Sequence, residues 1–512
     1  MNLAIEHQRA GRLPQAEKIY KQVLKAEPNN SAAYNNLGVA LKNQDRLDEA
    51  ITCYRRAQKI KPDYAEAINN LGNALKEQEK LDQALVCFRR AVEIRPDYAD
   101  ARNSLGAVLN EQGHADEAIE CYRRALEDKP DDESAHNNLG VALKNEGRVE
   151  ESIVAYRRAL ELKPDYAEAH NNLGNAVKDL GNLDDAATCY RRALELDPDY
   201  ASAHFNFSLL LLIMGEVKEG WVKHEWRWKR GERKFHGRDF KQPLWDGSRL
   251  DGRTILLHAE QGLGDAIQFI RYIPLVAEYG GRVVVECHPM VIHLFDDFPG
   301  IDQLVKRKSR LPPFDVQAPF LSLPMILGTT VETIPGEAGY LHADPGLVEK
   351  WRLRLSGLDG RKVGVCWQGN PKFPGDRWRS IPLEHFAVLL DHPSTTFINL
   401  HKGAGEGQIE EYGLADRIVN YSPEVESLSD TAAIMENLDL IITSDTSVAH
   451  LAGALGKPTW VLLQFVPDWR WHLDRDDMPW YPTMRLFRQP KLDDWDGVMV
   501  RVRRALAEYG AP

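Results

Sequence analysis

The chain predicts two fold classes in series: an all-α superhelix of repeats, then an α/β region of two sheets facing a crevice. Three observations predict this. Pro28, Pro62, Pro96, Pro130, Pro164 and Pro198 recur every 34 residues. Beyond residue 253, short apolar runs alternate with helical patterns and glycine turns, and the alternation starts afresh after Gly360. Within the second run, Asp439 to Pro458 reads as a buried strand, a turn of small oxygen-bearing side chains, and a helix closed by Gly456-Lys457-Pro458.

At 512 residues the chain holds roughly three domains by length. A net charge of −12 and a pI near 5.8 argue against a general nucleic-acid or anionic-membrane binder. The apolar run at Leu209 to Met214 is too short to span a bilayer, and the first residues, MNLAIEHQRAGR, have no apolar signal core. The expectation is a cytoplasmic protein. Cys53, Cys87, Cys121 and Cys189 share one repeat position, and Cys287 and Cys366 each end a predicted strand. All six read as thiols in the packing, not as a disulfide framework or a metal site.

The first domain is expected over residues 1–234. Leu37, Leu71, Leu105, Leu139 and Leu173 keep the 34-residue period, each followed by glycine, as do Tyr20, Tyr54, Phe88, Tyr122, Tyr156 and Tyr190. Each unit reads as two amphipathic helices that must stack on neighbours to bury their apolar faces. Residues 1–30 look like a shortened first repeat. In the last unit Phe205-Asn206-Phe207-Ser208 replaces Asn-Asn-Leu-Gly, and Trp221, Trp226 and Trp228 crowd the second helix, as expected of a cap docked on a following domain. The pattern resembles the tetratricopeptide repeat (TPR) family.

Asn36, Asn70, Asn138, Asn172 and Asn206 fall one residue before the leucine position, and Ser104 breaks the series. Stacked, they form a ladder whose carboxamides can hold an extended peptide by its backbone. This resembles the asparagine ladder of protein O-GlcNAc transferases, where it holds the acceptor polypeptide. The alternative is that the asparagines belong to the repeat scaffold.

Residues 235–252 read as a linker. Residues 253–358 read as a first α/β domain, with strands at Thr254–Ala259, Arg282–Glu286, near Gln303 and around 315–323, and helices over 266–279 and up to Phe298. Residues 359–490 read as a second, with strands at 362–367 and 396–400, helices at 383–390 and 429–437, and then the Asp439–Pro458 unit. Residues 491–512 read as a terminal helix. Two consecutive parallel-sheet domains place a ligand at the carboxyl ends of their strands.

The first motif is His258 to Phe269, HAEQGLGDAIQF. Gly262 and Gly264 allow a tight turn and close approach, with Asp265 at the helix start. Ile267 stands where a third dinucleotide-binding glycine belongs, which argues against a dehydrogenase. In the second motif, Asp445 and Ser447 are both candidate N-caps, and His450 lies one turn in. QGLGDAIQF followed by SDTSVAHLAGALGKP resembles the heptosyltransferase-type glycosyltransferases of the GT-B fold, over about residues 253–490. The resemblance implies that Asp265 is the catalytic base, and that Asp445, Thr446, Ser447 and His450 contact the donor. Ser447 stands where that family has glycine.

The third motif, Trp367 to Leu383, lies where the family places a basic residue on the donor phosphate. Arg377 and Arg379 are the candidates, with Asn370 and Ser380 as further hydrogen-bonding groups and Lys402 as a second basic candidate. Val466 to Gln489 is dense in tryptophan, which reads first as packing. Asp474, Asp476 and Asp477 lack a convincing metal-ligand spacing, and no metal or cofactor is expected. The expected function is transfer of a sugar from a nucleotide-sugar to a protein threaded along the repeats, with inversion implied by the family. The alternatives are a lipid or polysaccharide acceptor, or a scaffold whose transferase half is inactive.

Overall fold

The structure, a computed structural model, describes residues 1–230, 240–335, 338–373, 375–473 and 475–509. Residues 231–239, and with them the start of the expected linker and the end of the expected repeat domain, lie outside the described residues, as does Asp474. The chain divides into two units: Met1–Val177 with Asp184–Pro198, and Lys178–Leu183 with Asp199–Pro512.

The first unit is all helix. Pairs such as Ser31–Lys42 with Leu47–Ile60, and Ala65–Glu77 with Leu81–Ile94, repeat along it, starting from the short helix Asn2–Arg9 and Leu13–Ala26. Each of these second helices ends two residues before its proline, because proline disfavours helix in the residue before it. The glycine after each repeat leucine has a packing cause. A Cβ on Gly38, Gly72, Gly106, Gly140 or Gly174 would stand 2.5 to 2.8 Å from the ring of Tyr54, Phe88, Tyr122, Tyr156 or Tyr190. The paired helices therefore close directly over the buried aromatic, which is what fixes the two positions to one period.

The second unit opens with the helices Ala201–Ile213 and Val217–His224 and the 3-10 turn Glu225–Lys229. Two parallel sheets follow. The first contains β1 Thr254–His258, β2 Arg282–Cys287, β3 Gln303–Lys306 and β4 Val316–Pro319, in the order β3-β2-β1-β4. The second contains β5 Arg361–Cys366, β6 Thr395–Asn399, β7 Ile418–Val419, β8 Leu440–Ser444, β9 Thr459–Leu463 and β10 Met484–Arg488. Its order is β10-β9-β8-β5-β6-β7, the doubly wound arrangement in which the chain leaves β5 in one direction and returns at β8 on its other side. The strands are near-continuous apolar runs because helices cover both faces.

Several expected elements differ. The single helix over 266–279 is three pieces, Leu263–Phe269, Ile270–Tyr272 and Ile273–Ala277, because Pro274 has no N–H to continue the ladder and sits instead in a new first turn. The helix up to Phe298 is one 3-10 turn, Ile292–Leu294, confined between Pro289 and Pro299. The expected loop 368–380 contains the short helix Asp376–Arg379. The helix Pro345–Leu355 and strands β7 and β10 were not expected at all. The described part of the linker is built into the first sheet: Leu244 bridges Gln317 of β4, and Trp245 is buried. The terminal helix is Trp495–Glu508.

Candidate functional site

In each sheet the loops that carry the sequence motifs leave the carboxyl ends of central strands. The His258 to Asp265 motif follows β1, between β2 and β4. The Trp367–Ser380 segment follows β5, the Asp445–Ser447 turn follows β8, and β5 and β8 are neighbours. These are the switch points, where diverging loops leave room for a ligand.

The two motifs, some 180 residues apart, are in contact. The helix Leu263–Phe269 lies against the helix Ser447–Ala454, and a Cβ on Gly264 would stand 2.6 Å from His450 Cδ2. Only glycine fits there without moving a held ring. His450 is buried, its Nδ1 lies 3.0 Å from the Tyr481 hydroxyl, and its ring stacks on Trp471 at 5.6 Å. Burial, with the charges of Arg470, Arg271 and Arg379, holds its pKa well below the usual histidine value. It is therefore a neutral imidazole at pH 7.

Asp265 lies in the first turn of its helix. Its Oδ2 accepts from the Gly262 N–H at 3.0 Å, and its Oδ1 accepts from Arg470 Nη2. Burial raises its pKa, and the Arg470 charge opposes that rise. The Arg470 guanidinium is fixed on its other sides, donating from Nη1 to Asp468 Oδ1 at 2.8 Å and from Nε to Gln268 Oε1 at 2.8 Å. A single buried arginine from the loop after β9 thus holds two side chains of the first sheet's opening helix.

Beside it, Asp445 is half-buried, and burial together with the nearby Asp468 carboxylate pushes its pKa up to about 6, against the pull of Arg379. The cap of the following helix is neither Asp445 nor Ser447, the two expected candidates. It is Thr446, in extended conformation, whose Oγ1 accepts from the Val448 N–H at 3.3 Å. Ser447 is the first helical residue, which leaves Asp445 available for other partners. Cys366, at the end of β5, is buried, and burial pushes its thiol up to about 11, so it is no nucleophile.

The basic candidates separate. Arg379 is half-buried, donates from Nε to Asp376 Oδ1 at 3.1 Å, and its charge is felt at Asp265, Asp445 and His450. Arg377 is exposed and lies over the Trp378 ring at 4.8 Å. Lys402 is exposed and donates to the Val425 carbonyl. Ser380 accepts from the Gly369 N–H at 3.0 Å and donates to Asp376 Oδ2 at 2.8 Å, so its hydroxyl shapes the loop. Asn370 is exposed and accepts from the Lys372 N–H. Gly262, Gly264, Asp265, Arg379, Asp445, Thr446, Ser447 and His450 are thus brought together, while Arg377 and Lys402 turn to other partners. Asp477 pairs with Arg475 on the surface.

In the first unit the asparagine ladder runs between repeats. Asn70 donates to Asn35 at 2.9 Å, Asn138 to Asn103 at 2.9 Å, and Asn172 to Asn137 at 3.0 Å, while Asn36 Oδ1 accepts from Asn35. Each of these rungs joins a half-buried asparagine to the buried or half-buried one of the preceding repeat. Asn206 is half-buried on the helix Ala201–Ile213 of the second unit. Ser104 is too short to reach back, donating instead to Asn73 at 3.3 Å, and the buried Asn69 Oδ1 has no hydrogen-bond partner among the described residues.

Tetratricopeptide repeat families match residues 1–65, 72–113, 108–147, 142–181 and 167–200. The N-terminal part is a tetratricopeptide repeat array. The chain is 29% identical to protein FlbA of Caulobacter vibrioides over 332 residues, 59% of this chain and 54% of that protein. It therefore spans about half the length of that relative. Solved structures similar to it include MamA, at 29% identity with a TM-score of 0.30, over 33% of this chain and 98% of that one. Another is YrrB, a TPR protein with an unusual peptide-binding site, at 24% identity with a TM-score of 0.31, over 36% of this chain and 95% of that one.

Sequence reasoning passed over Arg470 and Asp468, which lie inside a segment singled out for its tryptophans. The signal was their position: a charged pair immediately beyond a central strand's carboxyl end. It also passed over Arg227, just after the degenerate last TPR-like pair. Its side chain is fully buried, donating to Glu260 Oε1 at 2.9 Å and Ser322 Oγ at 2.7 Å, beside Glu225. Glu260 follows β1 and Ser322 follows β4, so one guanidinium ties both loops of the first sheet's switch point. Burial pushes Glu260 up to about 7, despite Arg227, and its Oε2 has no hydrogen-bond partner among the described residues. The tryptophans pack on one another: Trp221 meets Trp469 edge-on at 5.1 Å.

Proposed function

We propose that the second unit is a two-domain, GT-B-type glycosyltransferase that moves a sugar from a nucleotide-sugar to an acceptor. What supports this is the convergence of Asp265, from the first sheet, with His450, Asp445 and Arg379, from the second, at the carboxyl ends of both sheets. Asp265 takes the acceptor proton as the nucleophile attacks the anomeric carbon. Arg379 and the turn at Asp445 to Ser447 hold the leaving nucleotide phosphate, where a guanidinium and a helix N-terminus both favour an anion. Neutral His450 orients the donor as a hydrogen-bonding group and not as a cation. Inversion at the anomeric carbon and independence from metals follow from the family resemblance alone.

The TPR array offers an extended surface for a protein partner, and we assign it the acceptor polypeptide. The use of ladder amides between repeats favours a second reading of those asparagines, as staples of the array, with the acceptor held by other groups. No helix among the described residues is long and apolar enough to cross a membrane. A cytoplasmic location is part of the proposal.

The test is turnover. Incubated with a panel of nucleotide-sugars, the protein should release nucleotide from one of them. Asp265→Asn should lower that rate by about 100-fold or more, the size expected for loss of a general base. Equal rates in wild type and variant would remove Asp265 from the chemistry.

A further inference from the structure

The Arg470 charge holds Asp265 back as a base while it is paired with Oδ1, and the Gly262 N–H engages the other oxygen. Of these two partners, the backbone N–H belongs to the same turn and travels with the carboxylate. Arg470 belongs to the other sheet. Its Nε and Nη1 are anchored by Gln268 and Asp468, which leaves Nη2 as the group that changes partner with a small rotation of the guanidinium. The side chain is nine-tenths buried, which makes its interactions with charge strong and selective.

That edge also borders the place where a nucleotide phosphate would go. Arg470 follows β9, the neighbour of β8, and its charge is felt at Asp445, at the entrance to the helix Ser447–Ala454. An anion held by that helix N-terminus and by Arg379 would lie within the field of the same guanidinium. A guanidinium prefers a phosphate's fork of oxygens at least as well as a carboxylate.

Resting on the transferase reading above, we propose that Asp265 and the donor's phosphate compete for one edge of Arg470. Donor binding draws Nη2 from Asp265 to the phosphate, and the freed Oδ1 becomes the base. Transfer then runs with the balance kept. The acceptor's O–H or N–H proton passes to Asp265 Oδ1, and the nucleophile bonds the anomeric carbon. The bond from that carbon to the phosphate oxygen breaks, and the oxygen keeps the electron pair, its charge taken by Arg470 and Arg379. The device favours an order: Asp265 is the weaker base until the donor has arrived, which suppresses idle deprotonation of acceptors. Arg470 is in this sense a positioning residue for Asp265 and a binding residue for the nucleotide.

The experiment is calorimetric titration of the full chain with UDP, GDP, ADP, dTDP and CMP, on wild type, Asp265→Asn and Arg470→Ala. Competition predicts that Asp265→Asn binds the preferred nucleotide several-fold more tightly than wild type, because the arginine edge is no longer held by a carboxylate. It predicts that Arg470→Ala binds about tenfold or more weakly, one lost charge-assisted contact. The parent nucleoside, lacking phosphate, should bind all three alike. If Asp265→Asn binds the nucleotide no better than wild type, the competition is overturned while the donor site stands. If neither wild type nor Asp265→Asn binds any nucleotide, the transferase reading itself falls, and the inference with it. Asp265→Asn is isosteric with the native side chain, so it carries the test even if Arg470→Ala fails to fold.

Discussion

Glu260 is a carboxyl group that burial holds near protonation at neutral pH, with one oxygen on Arg227 and the other without a hydrogen-bond partner among the described residues. Its folded-state pKa, about 7, lies above the ordinary glutamate value of 4.5. The stability it contributes is therefore complete below the unfolded value and is lost as pH rises through the folded one. Glu260→Gln cannot ionise and escapes that loss. Melting temperatures of wild type and variant, followed from about pH 5 to about pH 8, should diverge in the variant's favour as pH rises. Parallel profiles would mean that Glu260 is ionised throughout and fully satisfied by Arg227. His224 and His450, whose pKa values burial lowers, act in the opposite sense but are common to both proteins, so the difference isolates Glu260.

Among elements, the TPR helices are joined by asparagine rungs and the two sheets by arginines. The break at Ser104 leaves Asn69 Oδ1 buried without a donor among the described residues, where the equivalent atoms of Asn35, Asn103 and Asn137 each accept one. Ser104→Asn should restore the missing rung and raise stability by about 1 kcal/mol, read as a later midpoint in urea denaturation. No change would show that the neighbouring Ser104 to Asn73 contact already compensates. The link from the degenerate last pair to the first sheet is of the costlier kind. Arg227→Met removes the only described cation bonded to Glu260 and leaves that acid buried, so it should destabilise by roughly 3–5 kcal/mol. Adding Glu260→Gln should recover part of the loss. A double variant no better than the single would show that Arg227 acts through Ser322 and Glu225 instead.

For the whole molecule, what was legible in the sequence was what the chain states redundantly. Six prolines and five Leu-Gly pairs at one spacing specify the array many times over, and the Gly38 to Tyr54 type of contact explains why the period tolerates no slip. The two parallel sheets followed from two motifs that each mark a turn beyond a strand, and the meeting of Gly264 with His450 is what the structure adds. What was hidden depends on pairing across distance. Arg470 meets Asp265 over 205 residues, and Arg227 meets Ser322 over 95, so that neither partner is marked in the sequence around its arginine. Local chemistry also decided between candidates that looked equal in sequence. Arg379 faces the site because Asp376, Ser380 and Gly369 fold the loop inward, whereas Arg377, two residues earlier in the same short helix, lies over the Trp378 ring. The expected helix at 266–279 failed at Pro274, where the apolar stripe outweighed the missing N–H in the reading but not in the fold.

The central claim is that the loops beyond β1, β5 and β8 form one nucleotide-sugar site. Its most direct test is a thermal-shift screen of the purified chain against nucleotides and nucleotide-sugars, repeated on Arg379→Ala and His450→Ala. A ligand at about 100 times its dissociation constant stabilises by about 2.7 kcal/mol, well within detection. One nucleotide should raise the wild-type melting temperature by several degrees and lose most of that effect in both variants. A chain indifferent to every nucleotide, or variants that respond as wild type does, would contradict the account.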